Sequence, residues 1–179
     1  MDAARARQRF ARFDAAEYRL CLRLNRGCDF IAVRGMFAVA SRLGDGPFWY
    51  ALVLMLPLLY GEAGRGPALQ LALTALAGVG VYKLLKHRLV RERPFISFER
   101  IRAAVAPLDR YSFPSGHTLH AVCLTIIATH HFPELGWLLW PFAALVAASR
   151  PVLGLHYPTD VAAGAALGAL LASASLSIY

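Results

Sequence analysis

Six apolar segments follow one another along the chain, separated by polar or Gly/Pro-rich breaks. They cover residues 29–43, 48–60, 68–85, 114–132, 135–149 and 158–178. A helix needs about 20 residues to cross the hydrocarbon core of a bilayer, so the longer segments are typical of membrane spans. The segment 29–43 is short and carries Arg34. We predict six spans, with a five-span alternative in which 29–43 does not cross.

The order of these segments places the polar residues at several span ends on one side. The span 68–85 runs into the polar stretch 86–112, and the span 114–132 starts from it. The span 135–149 returns to the same side, from which 158–178 departs. This alternation holds whether or not the first segment crosses. We therefore expect the polar clusters at these span ends to share one face of the bundle.

The first 28 residues form a basic segment. Aromatic residues and leucines are interleaved with seven arginines, namely Arg5, Arg7, Arg9, Arg12, Arg19, Arg23 and Arg26. Such a helix can lie in the membrane interface with its arginines directed to phosphates; a solvated arm is the alternative. The segment lacks a long apolar core, so we expect no cleavable signal peptide. The predicted organisation is a basic amphipathic segment at 1–28 and a six-span membrane domain at 29–179.

Composition supports a membrane protein. Charged residues make up 17% of the 179 residues, against about 25% in ordinary soluble domains, and the mean hydropathy is +0.47. After Arg110 only Glu134, Arg150 and Asp160 are charged. A soluble domain of this size leaves about 30% of its chain surface in water, and so few charged residues could not keep that surface polar. The predicted fold class is all-α, a polytopic membrane helical bundle of about six transmembrane helices with a basic amphipathic N-terminal segment.

Charge and cysteine content exclude other classes. The net charge is +8, but no basic recognition helix, zinc-ligand spacing or aromatic-basic alternation points to nucleic acid. Most lysines and arginines lie in two blocks beside apolar segments, which fits lipid headgroups or a phosphate site. Cys21, Cys28 and Cys123 are odd in number and lack paired spacing, so we expect no disulfide framework and no cysteine metal site. The expected partners are the lipid bilayer and a lipid substrate.

Three polar clusters carry candidate chemistry on the expected face. In chain order they are Lys86-x6-Arg93-Pro94, Pro114-Ser115-Gly116-His117 and Ser149-Arg150-x5-His156-x3-Asp160. Alone, the first could be interfacial anchors and the second a helix cap. A helix N-terminus also binds anions through its free N–H groups, and the histidine beside it can donate a proton. In the third cluster, Asp160 can hold one nitrogen of His156 and leave the other free as a nucleophile or base.

Together the clusters supply three cations, an anion-binding helix end and two histidines. This set suits a cradle for a tetrahedral oxyanion with a nucleophile and an acid beside it. No group of acidic residues large enough to hold Mg²⁺ accompanies them. We therefore predict phosphoryl transfer in which side chains supply the positive charge.

The clusters resemble the three signature motifs of the type-2 phosphatidic acid phosphatase superfamily. The match covers residues 86–160 at every motif position and in order, and the layout of the spans resembles the membrane lipid phosphate phosphatases of that superfamily in bacteria. The resemblance implies that His156 attacks phosphorus and becomes a phosphohistidine, while Asp160 orients it. It implies that His117 protonates the leaving oxygen and then activates water. It further implies no metal or cofactor, and phosphate binding by Lys86, Arg93, Ser115, Gly116 and Arg150.

Several other residues invite a functional interpretation. His120 follows His117 at helical spacing, but we expect it to line the pocket or contact a neighbouring helix rather than bind metal. For Gly164 and Gly168 we favour helix packing within the bundle over dimerisation. We expect a solvated face near lipid, with attraction of an anionic headgroup as the alternative, for His87, Arg88, Arg91, Arg100, Arg102 and Arg110. The sequence leaves open whether Asp109 touches the substrate.

The expected activity is dephosphorylation of a membrane lipid phosphate or diphosphate. For a bacterial chain the main candidates are undecaprenyl diphosphate, phosphatidylglycerol phosphate and phosphatidate. We expect a multi-pass protein of the inner (plasma) membrane. Six spans and a cytoplasmic N-terminus would place the site on the periplasmic side, whereas five would place it on the side of the N-terminus. The alternatives are a non-catalytic protein that binds lipid or polyprenyl phosphates, and vanadate-dependent halide oxidation, which fits a lipid-facing chain poorly.

Overall fold

The computed structural model describes residues 3–178, with side chains described from residue 10 onwards. The predictions for the side chains of Arg5, Arg7 and Arg9 lie outside the described part. Within it the helices are α1 Ala3–Asn25, α2 Ile31–Gly44, α3 Pro47–Tyr60, α4 Glu62–Leu89, α5 Pro94–Ser97, α6 Gly116–His131, α7 Gly136–Val152 and α8 Pro158–Ile178. The described residues contain no β-strand. The predicted all-α class is confirmed.

Helix α6 lies at the centre of the bundle, packed against α4, α7 and α8. Its buried Leu124 and Ile127 belong to an apolar core that also contains Leu71 of α4 and Leu139 of α7. The contact with α8 is close, because a Cβ atom at Gly168 would lie 2.4 Å from the carbonyl oxygen of a residue on α6. The expectation that the small residues of this segment pack within the bundle is confirmed.

The outer surface of the bundle is apolar. Three described segments, Glu62–Ser97, Pro133–Val152 and Pro158–Ile178, are long and apolar enough to cross a membrane. Helices α2 and α3 form a fourth candidate span if the pair, bent by 53°, is counted as one. Large exposed apolar surfaces of this kind are typical of contact with lipid; its leucines include Leu54, Leu58, Leu59, Leu73, Leu76 and Leu170.

The first predicted span corresponds to a helix shorter than the usual length of a membrane crossing. Helix α2 has 14 residues, about 21 Å at 1.5 Å per residue, against a hydrocarbon core of about 30 Å. Just before α2, the Asn25 side chain donates to the carbonyl oxygen of Val152, at the end of α7, over 2.9 Å. Just after α2, Asp45 contacts His117 at the start of α6. Both ends of α2 thus lie near one face of the bundle, which favours the five-span alternative.

Helix α6 is also short, with 16 residues, yet it runs through the depth of the bundle. Its first turn lies beside the end of α7, since His117 and Arg150 line the same cavity. Its last residue, His131, has Nε2 2.7 Å from Oε1 of Gln70, near the start of α4. Neighbouring helices surround α6, so it does not need the length of a lipid-exposed span. Helix α6 thus joins the two faces of the bundle from within, beside the candidate spans of α4, α7 and α8.

The basic N-terminal segment is a docked helix rather than a solvated arm. The carboxylate of Glu17 on α1 accepts hydrogen bonds from the backbone N–H and the hydroxyl of Thr159 on α8, at 2.7 and 2.6 Å. Cys21 is buried in the same contact region. Arg12, Arg19, Arg23 and Arg26 are exposed. Helix α1 therefore packs on the face of the bundle from which α8 begins.

The break between the second and third predicted spans is shorter than expected. The break between the predicted segments 48–60 and 68–85 covers residues 61–67, but α4 begins at Glu62. Gly61 has a φ of 58°, which glycine adopts without strain, and the chain reverses there. A Cβ atom at Gly64 would lie 2.2 Å from the carbonyl oxygen of Leu56. This close approach of two backbones holds the first turn of α4 against α3, so the helix starts at once.

Candidate active site

A cavity of about 680 Å³ lies at the face where α4 and α7 end and α6 and α8 begin. Asp160 lies behind the cavity wall, next to His156, and Ser115 caps α6 without lining the cavity. The predicted residues that line it are Lys86, Arg93, Gly116, His117, Arg150 and His156. The structure therefore brings the three clusters together, as the alternation of spans predicted.

His156 lies between α7 and α8 and is 1% exposed. Its Nδ1 faces Oδ2 of Asp160 at 3.4 Å, and its Nε2 is 3.2 Å from Nη1 of Arg93. Burial, followed by the positive charges of Arg93, Arg150 and Lys86, lowers the pKa of His156 well below its ordinary value. The imidazole is therefore neutral near pH 7, with a lone pair available for nucleophilic attack.

Lys86 and Arg93 converge on one carboxylate, that of Asp109. Lys86 Nζ lies 2.8 and 2.7 Å from its two oxygens, and Arg93 Nη2 donates to Oδ1 over 2.8 Å. Burial raises the pKa of Asp109, but the hydrogen bond from Lys86 and the charges of Lys86 and Arg93 outweigh it, and the pKa lies below its ordinary value. The two cations are thus arranged around an anionic oxygen pair. This is the geometry that an oxyanion ligand needs.

Arg150 supplies the third cation from the last turn of α7. It is 2% exposed, and its Nη1 donates to the hydroxyl of Ser41 on α2. Its buried Nε has no hydrogen-bond partner among the described residues. An unpaired buried donor costs free energy, and an oxyanion in the cavity would satisfy it.

The start of α6 lies at the cavity. The Ser115 side chain caps the helix by accepting from the Thr118 N–H over 3.4 Å, and the Ser115 N–H donates to the Asp160 carbonyl over 3.0 Å. This leaves Gly116 and His117 at the cavity. The structure therefore assigns the Ser115 hydroxyl to a cap, and its contact with phosphate stays a prediction.

His117 is paired with an aspartate that the motifs did not identify. Its Nε2 contacts Oδ1 of Asp45, which lies in the break between α2 and α3. The sequence Gly44-Asp45-Gly46-Pro47 indicated only a break in the helix. A carboxylate beside an imidazole can hold its orientation and stabilise its protonated form. Both histidines of the site therefore have a carboxylate partner.

His120 does not serve as a free ligand. Its Nδ1 lies 2.9 Å from the Gly116 carbonyl oxygen and its Nε2 lies 3.0 Å from that of Ala75 on α4. It also lines the cavity, so the expected contact with the pocket and a neighbouring helix is confirmed. Among the described residues, no group of three or more His, Cys, Asp or Glu side chains is arranged to hold a metal ion.

The other half of the cavity is apolar and reaches the lipid-facing surface. It lies between α3 and α4, and its lining includes Trp49, Val53, Leu54, Leu76 and Val79. Leu54 and Leu76 are each 69% exposed. The cavity thus connects a cationic end with a groove that opens between two helices toward the membrane. An amphipathic molecule with an anionic head matches this arrangement.

The fold and site together define a class of protein, and a family model identifies it. The model described as the PAP2 superfamily matches residues 67–179, which contain every motif residue discussed above. The chain belongs to the PAP2 superfamily, the type-2 phosphatidic acid phosphatases. It is a multi-pass membrane protein.

Three similar proteins come from two organisms. Undecaprenyl-diphosphatase BcrC of Bacillus subtilis is 32% identical over 113 residues, which cover 63% of this chain and 58% of that protein. An undecaprenyl-diphosphatase of Sulfolobus acidocaldarius is 28% identical over 150 residues, or 82% of this chain and 70% of that protein. Phosphatidylglycerophosphatase B of B. subtilis is 38% identical over 87 residues, which cover 41% of this chain and 43% of that protein. The chain thus spans 58% and 43% of the two B. subtilis relatives.

Solved structures share the fold. A transmembrane PAP2-type phosphatidylglycerolphosphate phosphatase from B. subtilis superimposes with a TM-score of 0.73 at 24% identity, covering 92% of this chain and 83% of that chain. LpxE of Aquifex aeolicus gives the same TM-score and identity, and the superposition covers 90% of this chain and 95% of that chain. At this identity the likeness concerns the fold alone.

Proposed function

We propose that this protein is an integral-membrane, metal-independent phosphatase of lipid phosphates or diphosphates that acts through a phosphohistidine. The observation that carries the proposal is the environment of His156. This neutral, buried imidazole has one nitrogen beside Asp160 and the other beside Arg93. Binding alone would not need a nucleophile oriented in this way. The phosphatase domain would comprise residues 29–179, preceded by the basic segment 1–28, whose described helix α1 packs on the face of the bundle.

The reaction would proceed in two displacements at phosphorus. In the first, His156 Nε2 forms a bond to phosphorus, the bond from phosphorus to the lipid oxygen breaks, and His117 gives that oxygen a proton. In the second, His117 takes a proton from water, the water oxygen attacks phosphorus, and the P–N bond to His156 breaks with release of phosphate. Lys86, Arg93 and Arg150 would hold the phosphoryl oxygens and stabilise the charge that develops on them.

The apolar half of the cavity supports a lipid substrate. The groove between α3 and α4 would take the hydrocarbon chain while the headgroup lies among the cations. The names of the relatives support undecaprenyl diphosphate and phosphatidylglycerol phosphate as candidates, and phosphatidate has the same combination of phosphate and apolar chains. All three present a phosphoryl group at the membrane surface.

The compartment of the site depends on the number of crossings. We propose an inner (plasma) membrane location. The expected extracytoplasmic site rests on six spans, whereas the position of α2 supports five and would put the site and α1 on the same side. The arginines of α1 would then share that side with the cations of 86–112, and the positive-inside rule would favour the cytoplasm.

Phosphate release by the purified protein in detergent tests the proposal. The panel would hold undecaprenyl diphosphate, phosphatidylglycerol phosphate, phosphatidate and a water-soluble phosphomonoester, each assayed with and without EDTA. We expect EDTA-resistant release from at least one lipid and its loss in the His156→Ala variant. His131→Ala, which changes a histidine at the opposite end of α6, is the matched control and should retain activity. Lipid binding without release by the folded protein would favour the non-catalytic alternative.

A further inference from the structure

Arg91 is buried, although it was expected on a solvated face. It lies two residues before Arg93 and is 1% exposed. Its Nη1 donates to Oδ1 of Asp160 over 2.5 Å and to the hydroxyl of Thr159 over 2.7 Å. The guanidinium also contacts the aromatic ring of Tyr157, whose centroid is 3.9 Å from the guanidinium carbon. A guanidinium in such a setting has a fixed orientation, because its five donors form a rigid fork.

The two oxygens of Asp160 have different partners. Oδ1 accepts from Arg91, whereas Oδ2 accepts from the Tyr157 N–H over 2.8 Å and faces His156 Nδ1 at 3.4 Å. A carboxylate held at both oxygens cannot rotate freely about its last torsion. Arg91 therefore fixes the oxygen that faces away from His156, and through it the direction of the oxygen that faces the imidazole.

Helix α1 holds Arg91 from the other side. Asp14 Oδ1 accepts from Nε and Nη2 of Arg91 at 2.9 and 2.7 Å, and Glu17 Oε2 accepts from Nη2 at 2.9 Å. The same Glu17 carboxylate binds Thr159, the residue next to Asp160. The first turn of α8 is thus held by α1 both directly and through Arg91.

We propose that Arg91 is a positioning residue for Asp160, and that Asp14 and Glu17 of α1 hold Arg91 in place. The inference rests on the proposed function, in which Asp160 orients the nucleophile. Arg91 does not line the cavity, and the cations that would bind phosphate do not depend on it for any described hydrogen bond. Its loss should therefore slow the chemical step and leave binding of the phosphoryl group unchanged.

Steady-state kinetics of Arg91→Gln and Arg91→Lys test the inference. We expect Arg91→Gln to lower kcat by about 10- to 100-fold, as loss of an orienting partner does, with KM and the inhibition constant of inorganic phosphate within about threefold of wild type. Arg91→Lys keeps the positive charge beside the carboxylates of Asp14, Glu17 and Asp160 but loses the rigid arrangement of donors. The variant should therefore fold, and its kcat should also be lower than that of the wild type. Arg88→Gln, an exposed residue of α4, is the matched control and should behave as wild type.

A double-mutant cycle separates positioning from general structural support. In an Asp160→Ala background, Arg91→Lys should lower kcat by less than about twofold further, because the group that it positions is gone. Wild-type kcat in folded Arg91→Lys, a KM effect without a kcat effect, or additive losses in the cycle would each overturn the inference. The proposed function fails separately, if the wild-type protein is inactive or the His156→Ala variant is active. If the wild-type protein is active and the kcat of Arg91→Lys is unchanged, only the role of Arg91 is refuted.

Discussion

The Asp109 carboxylate lies between Lys86 and Arg93, where a phosphoryl oxygen of the substrate would bind. The carboxylate is charged near pH 7, since the hydrogen bond from Lys86 and the charges of Lys86 and Arg93 outweigh its burial and hold the pKa of Asp109 below its ordinary value. A dianionic phosphoryl group would have to displace this carboxylate, or bind beside it despite the repulsion between the two negative charges. If Lys86 and Arg93 bind the phosphoryl group as proposed, Asp109 competes with substrate and product for the same two cations.

Replacing Asp109 by Asn should strengthen product inhibition. The amide keeps the shape of the side chain but removes the negative charge, so inorganic phosphate should bind about three- to tenfold more tightly, the effect of one nearby charge at a partly solvated site. The inhibition constant of phosphate measures this directly. Asp29→Asn, an exposed aspartate that does not line the cavity, is the control. An unchanged or weaker inhibition by phosphate in Asp109→Asn would show that the carboxylate does not compete.

The residues with motif spacing could be predicted, and so could the pairing of His156 with Asp160, but partners from distant parts of the chain could not. Lys86, Arg93 and His156 were identified because each motif is short and continuous in the chain. The contact of Asp14 with Arg91 joins residues 77 positions apart, and no periodicity or spacing indicates it. A single aspartate in a Gly/Pro-rich break, such as Asp45, has the same appearance as an ordinary turn residue.

At the scale of the helices, the hydropathy pattern located the apolar segments well. The predicted segment 158–178 coincides with α8, and 114–132 differs from α6 by two residues at the start and one at the end. The pattern does not show how the first segment, 29–43, lies relative to the other helices. Hydropathy identifies an apolar helix, but it cannot show that both ends of α2 contact the same face of the bundle. That depends on Asn25 and Asp45, whose partners lie far along the chain.

The close contact of α6 and α8 predicts a large effect of one methyl group. In Gly168→Ala the new Cβ would lie 2.4 Å from the Leu119 carbonyl oxygen, so the helices must separate. Overpacking of this kind costs about 1–3 kcal/mol. Thermal unfolding in detergent should show a lower midpoint for Gly168→Ala. At Gly80, a Cβ atom would meet nothing within 4 Å, so Gly80→Ala should be neutral; equal midpoints for the two variants would mean that α6 and α8 are not packed this closely.

At the scale of the whole molecule, the position of α1 determines the topology. Helix α1 contacts the start of α8 through Glu17 and Thr159, next to the site. With five crossings, the N-terminal segment and the site would lie on one side of the membrane. The junction of α3 and α4, with Glu62 at the start of α4, would lie on the other.

Accessibility of single cysteines to a membrane-impermeant maleimide tests this topology. The background would be Cys28→Ser, since Cys21 and Cys123 are buried, with new cysteines at the exposed Arg19, Glu62 and Glu99. We expect Arg19→Cys and Glu99→Cys to react from the same side and Glu62→Cys from the other. Labelling in intact cells also identifies the compartment of the site. Reaction of Arg19→Cys from the side of Glu62→Cys would restore the six-span topology.

In the proposed reaction His156 carries the phosphoryl group during turnover, and this intermediate can be trapped. Purified protein would be mixed with a lipid substrate labelled in its phosphoryl group, quenched within milliseconds in alkaline denaturant, and digested for mass spectrometry. We predict a base-stable, acid-labile phosphoryl group on His156 and none in the His156→Ala variant. Label on another residue, or phosphate release without any labelled protein, would contradict the account.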